Sequence, residues 1–229
     1  MKKKSSKRYK KLIKTYSNNK AETLEVAIKK IKENCTTKFD ESIDVSLNLN
    51  LKQKKEEANL RTIVNLPHGN GKKVKIALLC EESKIGDAKN AGAALAGSEN
   101  LISDITAGKI NFDKLIATPV MMSKMGKLGK ILGPKGLMPN PKLGTVTADV
   151  KKAVKALKEG QIEIKNDKDG NIAASIGKKS FPDIKIIENF NAFIQTIQKE
   201  KPSKIKGDFI LSSFLTSTMG ISYKLKLRA

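Results

Sequence analysis

Two stretches decide the fold: IDVSLNLNL at Ile43–Leu51 and VKIALLC at Val74–Cys80. The first stretch alternates strictly between apolar and polar residues, which is typical of a strand with one face buried and one face in solvent. Apart from Lys75, the second is apolar throughout, which is typical of a strand that helices cover on both faces. The chain therefore contains two kinds of sheet, and we expect two domains of different class.

The patterns around Val74–Cys80 alternate between strand and helix. We predict a helix at Asp87–Leu95, a short helix at Leu101–Thr106, a strand at Lys114–Thr118, and a helix with an apolar stripe from Val150 to Leu157 that Gly160 ends. Such alternation is typical of helices packed on a parallel sheet. The middle of the chain is thus predicted to be a Rossmann-like α/β domain.

The patterns on either side of this middle region return to a period of two between helices. We predict a helix from Leu24 to Ile31, a strand at Arg61–Leu66 after a charged connector (Lys52–Asn59), a hairpin of Ile162–Ile164 with Ile172–Ile176, a helix at Asp183–Glu200 with Ile184 on its apolar stripe, and strands at Phe209–Leu215 and Ile221–Leu227. These elements are typical of an α+β domain.

Both ends of the chain have alternating strands between helices, which indicates that the two ends form one domain. We predict a discontinuous two-domain protein, in which residues 1–68 and 159–229 form a split α+β domain and residues 69–158 form an inserted α/β domain. The turn-rich tract Pro67–Gly71 is the candidate hinge between them. An alternative is two consecutive domains that share no sheet.

The charge of the chain indicates a polyanionic partner. The 229 residues include 45 Lys and Arg against 23 Asp and Glu, which gives a net charge of +22. Only Arg8, Arg61 and Arg228 are arginines, and lysine contacts phosphates as a flexible point charge instead of reading base edges. Residues 1–20 carry nine basic side chains and no acid, and we predict a phosphate-binding arm there, although a solvated tail is the alternative.

Catalytic, metal and cofactor sites find little support in the sequence. His68 is the only histidine, and Cys35 and Cys80 are too isolated for a metal cluster or a disulfide framework. No phosphate-binding loop has the required spacing. No apolar run approaches the ~20 residues of a membrane span, and no secretory signal is evident. We therefore expect a cytoplasmic binding protein without enzymatic activity, metal or cofactor.

The stretch GKLGKILGPKGLMPNPKLG at Gly126–Gly144 of the predicted α/β domain is basic, since five lysines fall between Lys124 and Lys142 and no acidic residue occurs from Pro119 to Ala148. Its glycines permit a positive φ and its prolines remove backbone donors, so we expect a shaped cationic loop instead of a helix or strand. Such a loop could contact nucleic-acid phosphates or pack against the other domain. Lys130 and Lys135 are its candidate contacts.

Two further spots in the split domain have side chains suited to RNA. Lys38 and Phe39 place an ammonium beside an aromatic ring just before the first strand, although Phe39 could instead be a core residue. Ser217, Thr218, Met219 and Gly220 join two strands through small hydroxyls and a glycine that permits close approach, although this could be an ordinary turn.

Several segments occur in the order of one known family. They are KFDES (Lys38–Ser42), NLRT (Asn59–Thr62), LPHGNGK (Leu66–Lys72), IATP (Ile116–Pro119), LGKILGPKGLMPNPKLGTV (Leu128–Val146), IGKKSF (Ile176–Phe181) and STMG (Ser217–Gly220). Along nearly its whole length the chain resembles the bacterial large-subunit ribosomal protein one family, which builds the mobile stalk beside the ribosome's exit site.

The resemblance implies a fold, partners and a set of contacts. The fold is a split α+β domain interrupted by an α/β domain, and the partners are large-subunit ribosomal RNA, deacylated tRNA leaving the exit site, and the protein's own messenger RNA as a target of repression. The implied RNA contacts are Lys38, Phe39, Arg61, Lys165, Ser217, Thr218, Met219 and Gly220. A general nucleic-acid-compacting protein and a nucleotide-dependent enzyme are the competing hypotheses.

Overall fold

The computed structural model of the chain describes residues 6–15, 21–51, 60–202, 205 and 207–226. The predicted connector Lys52–Asn59 and the last residue of the final predicted strand, Leu227, lie outside these ranges. Contacts between residues divide the chain into two compact units. Unit 1 comprises Met1–Gly71 and Ile162–Ala229, and unit 2 comprises Lys72–Gln161.

The helices and strands of the described residues follow one another along both units. The helices are α1 (Lys7–Thr15), α2 (Leu24–Asn34), α3 (Ile85–Asn90), α4 (Glu99–Thr106), α5 (Pro119–Met122), α6 (Gly129–Leu132), α7 (Val150–Lys158) and α8 (Asp183–Lys199). The strands are β1 (Ser42–Leu49), β2 (Arg61–Asn65), β3 (Ile76–Leu79), β4 (Leu95–Gly97), β5 (Lys114–Ala117), β6 (Gln161–Lys165), β7 (Asn171–Lys178), β8 (Ile210–Ser217) and β9 (Tyr223–Leu225).

Unit 1 is built on an antiparallel sheet in the order β7-β1-β8-β9. The alternating stretch is its central strand β1, on which Ile43, Val45 and Leu47 are buried while the intervening polar residues are half-exposed. The buried side chains pack in one core with apolar residues of α2 and α8, among them Ile28 and Phe193. The predicted half-buried strand is therefore confirmed.

The predicted hairpin of Ile162–Ile164 with Ile172–Ile176 is wrong. The turn itself forms, because the Asp167 carboxylate accepts hydrogen bonds from the Asp169 and Asn171 amides at 3.0 and 2.7 Å. The two strands that flank it nevertheless enter different sheets. Strand β6 pairs with β2, whereas β7 pairs with β1. A turn signal thus located the reversal of the chain but did not determine the pairing partners.

The apolar stripe of α8 differs from the prediction at one position. Ile184 is 68% exposed, whereas Ile186 is fully buried beside Phe190 and Phe193. The tract Pro67–Gly71 is tied to this helix by the buried Asn189, which accepts a hydrogen bond from the His68 amide at 3.1 Å and donates one to the Gly69 carbonyl at 2.8 Å. That the tract acts as a hinge stays a prediction.

Unit 2 contains a parallel sheet in the order β4-β3-β5. The apolar run becomes β3, whose four residues are all buried. Ile76 and Leu78 pack in one core with α3 and α7, whereas Ala77 and Leu79 pack in another with α4, α5 and α6. The prediction of a strand covered on both faces is confirmed. The described residues form a mixed α/β structure with a parallel three-stranded sheet, an antiparallel four-stranded sheet and the two-stranded sheet of β2 and β6.

The predicted helix at Asp87–Leu95 is too long. Helix α3 ends at Asn90, and Gly92 adopts a φ of 85°, a left-handed conformation that ends the helix. Leu95 instead begins β4 and pairs with Ala77 of β3. The alanine-rich pattern could not reveal this short strand, because its pairing with β3 is a long-range contact.

Candidate nucleic-acid interface

A buried carboxylate joins the two candidate spots of unit 1. Glu41 is fully buried immediately before β1. One carboxylate oxygen accepts a hydrogen bond from Thr37 Oγ1 at 2.7 Å, and the other accepts from the Met219 amide at 3.1 Å. The loop before β1 and the turn after β8, 178 residues apart, are therefore held together. We call the surface formed by Lys38, Phe39 and Ser217–Gly220 the loop–turn face.

Hydrogen bonds keep Glu41 ionised in spite of its burial. Burial by itself raises the pKa of this carboxyl group, but the hydrogen bonds from Thr37, Ser217 and the Met219 amide outweigh that effect, so the pKa lies below its usual value. The residue therefore acts as a charged acceptor that fixes three donors. Sequence analysis missed it, although Glu41 has the same parity as Ile43 and Val45 and so points to the buried side of the strand.

The turn at Ser217–Gly220 continues the pairing of β8 with β1. The Thr218 amide donates to the Ser42 carbonyl at 3.1 Å, and the Ser42 amide donates to Thr218 Oγ1 at 3.0 Å. The Gly220 amide donates to the Ser217 carbonyl at 3.1 Å, and a Cβ atom on Gly220 would lie 2.3 Å from Ser217 Oγ. The close approach that sequence analysis attributed to this glycine is thus present within the turn itself.

The loop–turn face presents a mixture of apolar and polar groups to solvent. Phe39 is 53% exposed and Met219 is 49% exposed, with Lys38 and Thr218 exposed as well. Phe39 is therefore not a core residue. Ser217 is buried, and its side chain hydrogen-bonds to Glu41. The Asp40 carboxylate accepts from the Ser180 amide at 3.1 Å and from its hydroxyl at 2.8 Å, which fixes the loop from the other side.

Arg61 and Lys165 do not join this face. Arg61 lies at the start of β2 and forms an ion pair with Glu163 at 2.6 Å, and Lys165 is exposed at the end of β6. These strand ends lie beyond the carboxyl end of β1, where the Leu49 amide donates to the Gly170 carbonyl at 2.9 Å. The length of β1, about 23 Å at 3.3 Å per residue, separates them from the loop–turn face. The predicted contacts of unit 1 thus occupy two places.

The basic segment of unit 2 has more regular structure than predicted. Residues Lys124–Leu128 and Pro141–Leu143 form 3₁₀ turns, and α6 lies between them. Met125, Leu128 and Leu132 are buried, so these turns pack on the core of unit 2. Of the four glycines from 126 to 136, only Gly136 has a positive φ. Lys130 and Lys135 are exposed on the outer side of the segment.

The described residues offer little for other chemistry. They contain no group of His, Cys, Asp and Glu side chains that could hold a metal ion. Cys35 and Cys80 are buried free thiols. The His68 ring contacts the Glu188 carboxylate, consistent with a structural residue. Within the same described residues, no helix has the length and apolar character needed to cross a membrane.

The sequence model of the "Ribosomal protein L1p/L10e family" matches residues 31–221, which include both the loop–turn face and the basic segment of unit 2. The chain belongs to this family. The family is structural and not enzymatic, so the prediction that the chain is no enzyme is confirmed. The resemblance read from the motifs is confirmed as well.

Relatives of known name support the assignment over nearly the full chain. The "Large ribosomal subunit protein uL1" of Pelagibacter ubique (strain HTCC1062) is 57% identical over 223 residues, which cover 97% of each chain. The protein of the same name from Rickettsia bellii (strain OSU 85-389) is 48% identical over 204 residues, covering 89% of this chain and 85% of that one. The one from Rickettsia peacockii (strain Rustic) is 47% identical over 201 residues, covering 88% and 84%.

Proposed function

We propose that this chain is a structural constituent of the large ribosomal subunit and binds large-subunit ribosomal RNA through the loop–turn face. The observation that carries the proposal is the buried Glu41, which holds an exposed aromatic ring and a hydroxyl-rich turn in one fixed surface. Membership in a ribosomal protein family supports the ribosomal role, and with it a place in the cytoplasm.

The contacts follow from the chemistry of each side chain. The exposed Phe39 ring offers a face on which an unstacked base or a sugar can pack, and Lys38 beside it offers a charge to phosphate. The Thr218 hydroxyl and the carbonyl groups of the turn can bond ribose hydroxyls, since the turn's amides already donate within the protein, while Met219 packs on the same nucleotides. Arg61 and Lys165 would contact a second part of the same RNA, beyond the other end of β1.

The basic segment of unit 2 has a different part in this proposal. Its exposed Lys130 and Lys135 attract phosphates without selecting a sequence, since they are solvated point charges in a stretch of sequence that has no acidic residue from Pro119 to Ala148. We further propose that units 1 and 2 are separate domains, and that the protein forms a mobile stalk which assists the release of deacylated tRNA from the exit site. Repression of its own messenger RNA would use the loop–turn face again, on a similar RNA structure.

The test is an RNA titration of the full chain. We expect tight binding to a ribosomal RNA fragment from the stalk region at physiological salt, and much weaker binding to a scrambled RNA of equal length. Phe39→Ala should reduce affinity for the stalk fragment about tenfold, since the stacking of one base is worth roughly 1–3 kcal/mol. It should change the free energy of unfolding by less than about 0.5 kcal/mol, because the ring is half-exposed.

Val26→Ala is the matched control. This residue is similarly exposed, at 43%, but lies in the first turn of α2. It should leave the affinity for the stalk fragment unchanged. Equal binding of wild type to both RNAs, falling together as salt rises, would refute the proposal and favour a general polyanion-binding protein.

A further inference from the structure

Helix α1 is a basic helix that is docked on unit 1. Its nine residues include five cations and no acid. Ser6 precedes it and accepts a hydrogen bond from the Tyr9 amide at 3.2 Å, which is the geometry of an N-terminal cap. Leu12 is 6% exposed and belongs to the core of unit 1. The helix is therefore anchored by a cap and by a buried leucine.

Arg8 connects this helix to the loop–turn face. Its Nη1 atom donates to Thr36 Oγ1 at 3.2 Å, and its Nη2 atom donates to the Met219 carbonyl. One guanidinium thus joins α1, the loop before β1 and the turn after β8. The planar fork of arginine suits such a bridge, because its donors are fixed in direction and can reach two acceptors at once. Glu41 and Arg8 hold the same turn through the Met219 amide and the Met219 carbonyl respectively.

Two other cations of α1, Lys10 and Lys14, lie on the side of the helix away from the core. Arg8 and Leu12 are four residues apart and face unit 1, so Lys10 and Lys14, also four apart, lie on the other side, where both are exposed. Tyr9 and Ile13 add an apolar strip beside them, at 41% and 48% exposure. At 1.5 Å per residue, the Cα of Lys14 is only about 9 Å along the helix axis from that of Arg8.

We propose that α1 is an additional RNA-binding element of this protein. Its charge complements a polyanion, and Arg8 places it directly beside the turn that is proposed to contact ribosomal RNA, so the inference rests on the proposed function. The RNA strand that leaves the turn continues along α1, and its phosphates contact Lys10 and Lys14. Arg8 is a positioning residue that fixes Met219, since its guanidinium is already engaged with protein acceptors.

The experiment compares two variants of the full chain in the same titrations of stalk fragment and scrambled RNA. The double variant Lys10→Gln/Lys14→Gln should bind the stalk fragment about tenfold more weakly. The slope of log affinity against log salt should become smaller in magnitude by about 1.4–1.8, because two phosphate contacts are lost. Both side chains are exposed, so the fold should be unaffected. Lys89→Gln/Lys109→Gln, which removes two exposed charges from unit 2, is the matched control and should leave the slope for the stalk fragment unchanged.

The Arg8 variant separates positioning from charge. Arg8→Gln should weaken binding of the stalk fragment about tenfold, as expected for loss of a charge-assisted bridge, while binding of scrambled RNA and the salt slope change little. Arg8→Lys should restore part of the loss. If the wild type prefers the stalk fragment but Lys10→Gln/Lys14→Gln keeps the wild-type slope and affinity, α1 is no RNA-binding element and the proposed function stands. If the wild type shows no preference, the proposed function fails and this inference fails with it.

Discussion

The loop–turn face and the segment Gly126–Gly144 both present lysines, but different contacts hold their backbones. The loop–turn face is assembled by hydrogen bonds between residues about 176 apart, with the buried Glu41 at its centre. The segment of unit 2 is held by local turns, such as the bond from the Lys142 amide to Asn140 Oδ1 at 2.9 Å, and by apolar side chains beneath it.

This difference indicates that one surface of the chain offers a fixed shape and the other offers mainly charge. A surface fixed by long-range hydrogen bonds presents a unique arrangement of groups, and such an arrangement can select one folded RNA. A surface of solvated lysines attracts any polyanion, and salt screens that attraction. The first surface should therefore give specificity, and the second should give affinity that does not depend on RNA sequence.

The largest expected effect comes from breaking the centre of the first surface. Glu41→Gln keeps the size of the side chain but replaces a charged acceptor with an amide, whose NH₂ group must face the Met219 amide or a hydroxyl donor. We expect the free energy of unfolding to fall by about 2 kcal/mol, measured by urea denaturation. Glu33→Gln on an exposed position of α2 is the control and should stay within about 0.5 kcal/mol of wild type.

The pH dependence of that difference sharpens the result. Because the pKa of Glu41 is below its usual 4.5, the carboxylate stabilises the fold at any pH above that value, and the contribution is lost as pH falls through the lower folded pKa. The stability difference between wild type and Glu41→Gln should stay constant from about pH 7 to pH 5 and shrink only below about pH 4. A difference that grows as pH falls from 6 to 5 would show that the pKa is raised instead.

A smaller effect is expected from adding one methyl group to each surface. Gly220→Ala places a Cβ atom 2.3 Å from Ser217 Oγ, so the turn must shift, and we expect a loss of about 1 kcal/mol in unfolding free energy. Gly126→Ala meets nothing within 4 Å and has a negative φ, so the protein should gain about 0.4–1 kcal/mol. Equal losses in the two urea titrations would contradict the distinction between a tightly packed turn and an open one.

Local patterns predicted much of the fold, whereas long-range pairing was missed. The alternation at Ile43–Leu51 and the apolar run at Val74–Cys80 predicted the character of the two larger sheets, because burial of one or two faces leaves a direct periodic signal. The same periodic patterns did not predict that β6 pairs with β2, or that Leu95 begins a strand. Both depend on residues far away in the chain.

The candidate site shows the same limit. Sequence patterns found Phe39 and the turn at Ser217–Gly220 as two separate spots, since each has a suitable local composition. Their junction through Glu41 and Arg8 depends on hydrogen bonds that cross most of the chain. A charged residue in the buried phase of a strand was the one local signal available for Glu41.

The smallest expected effect tests whether the basic segment supplies charge alone. Lys130→Gln/Lys135→Gln should weaken binding of the stalk fragment and of scrambled RNA by the same factor, about twofold to fivefold, because exposed point charges contribute less than about 1 kcal/mol. The ratio of the two affinities, measured in one salt series, should therefore stay at its wild-type value. Lys89→Gln/Lys109→Gln removes the same charge elsewhere in unit 2 and controls for net charge. A loss confined to the stalk fragment would show that this segment also recognises the shape of the RNA, and the division between the two surfaces would be wrong.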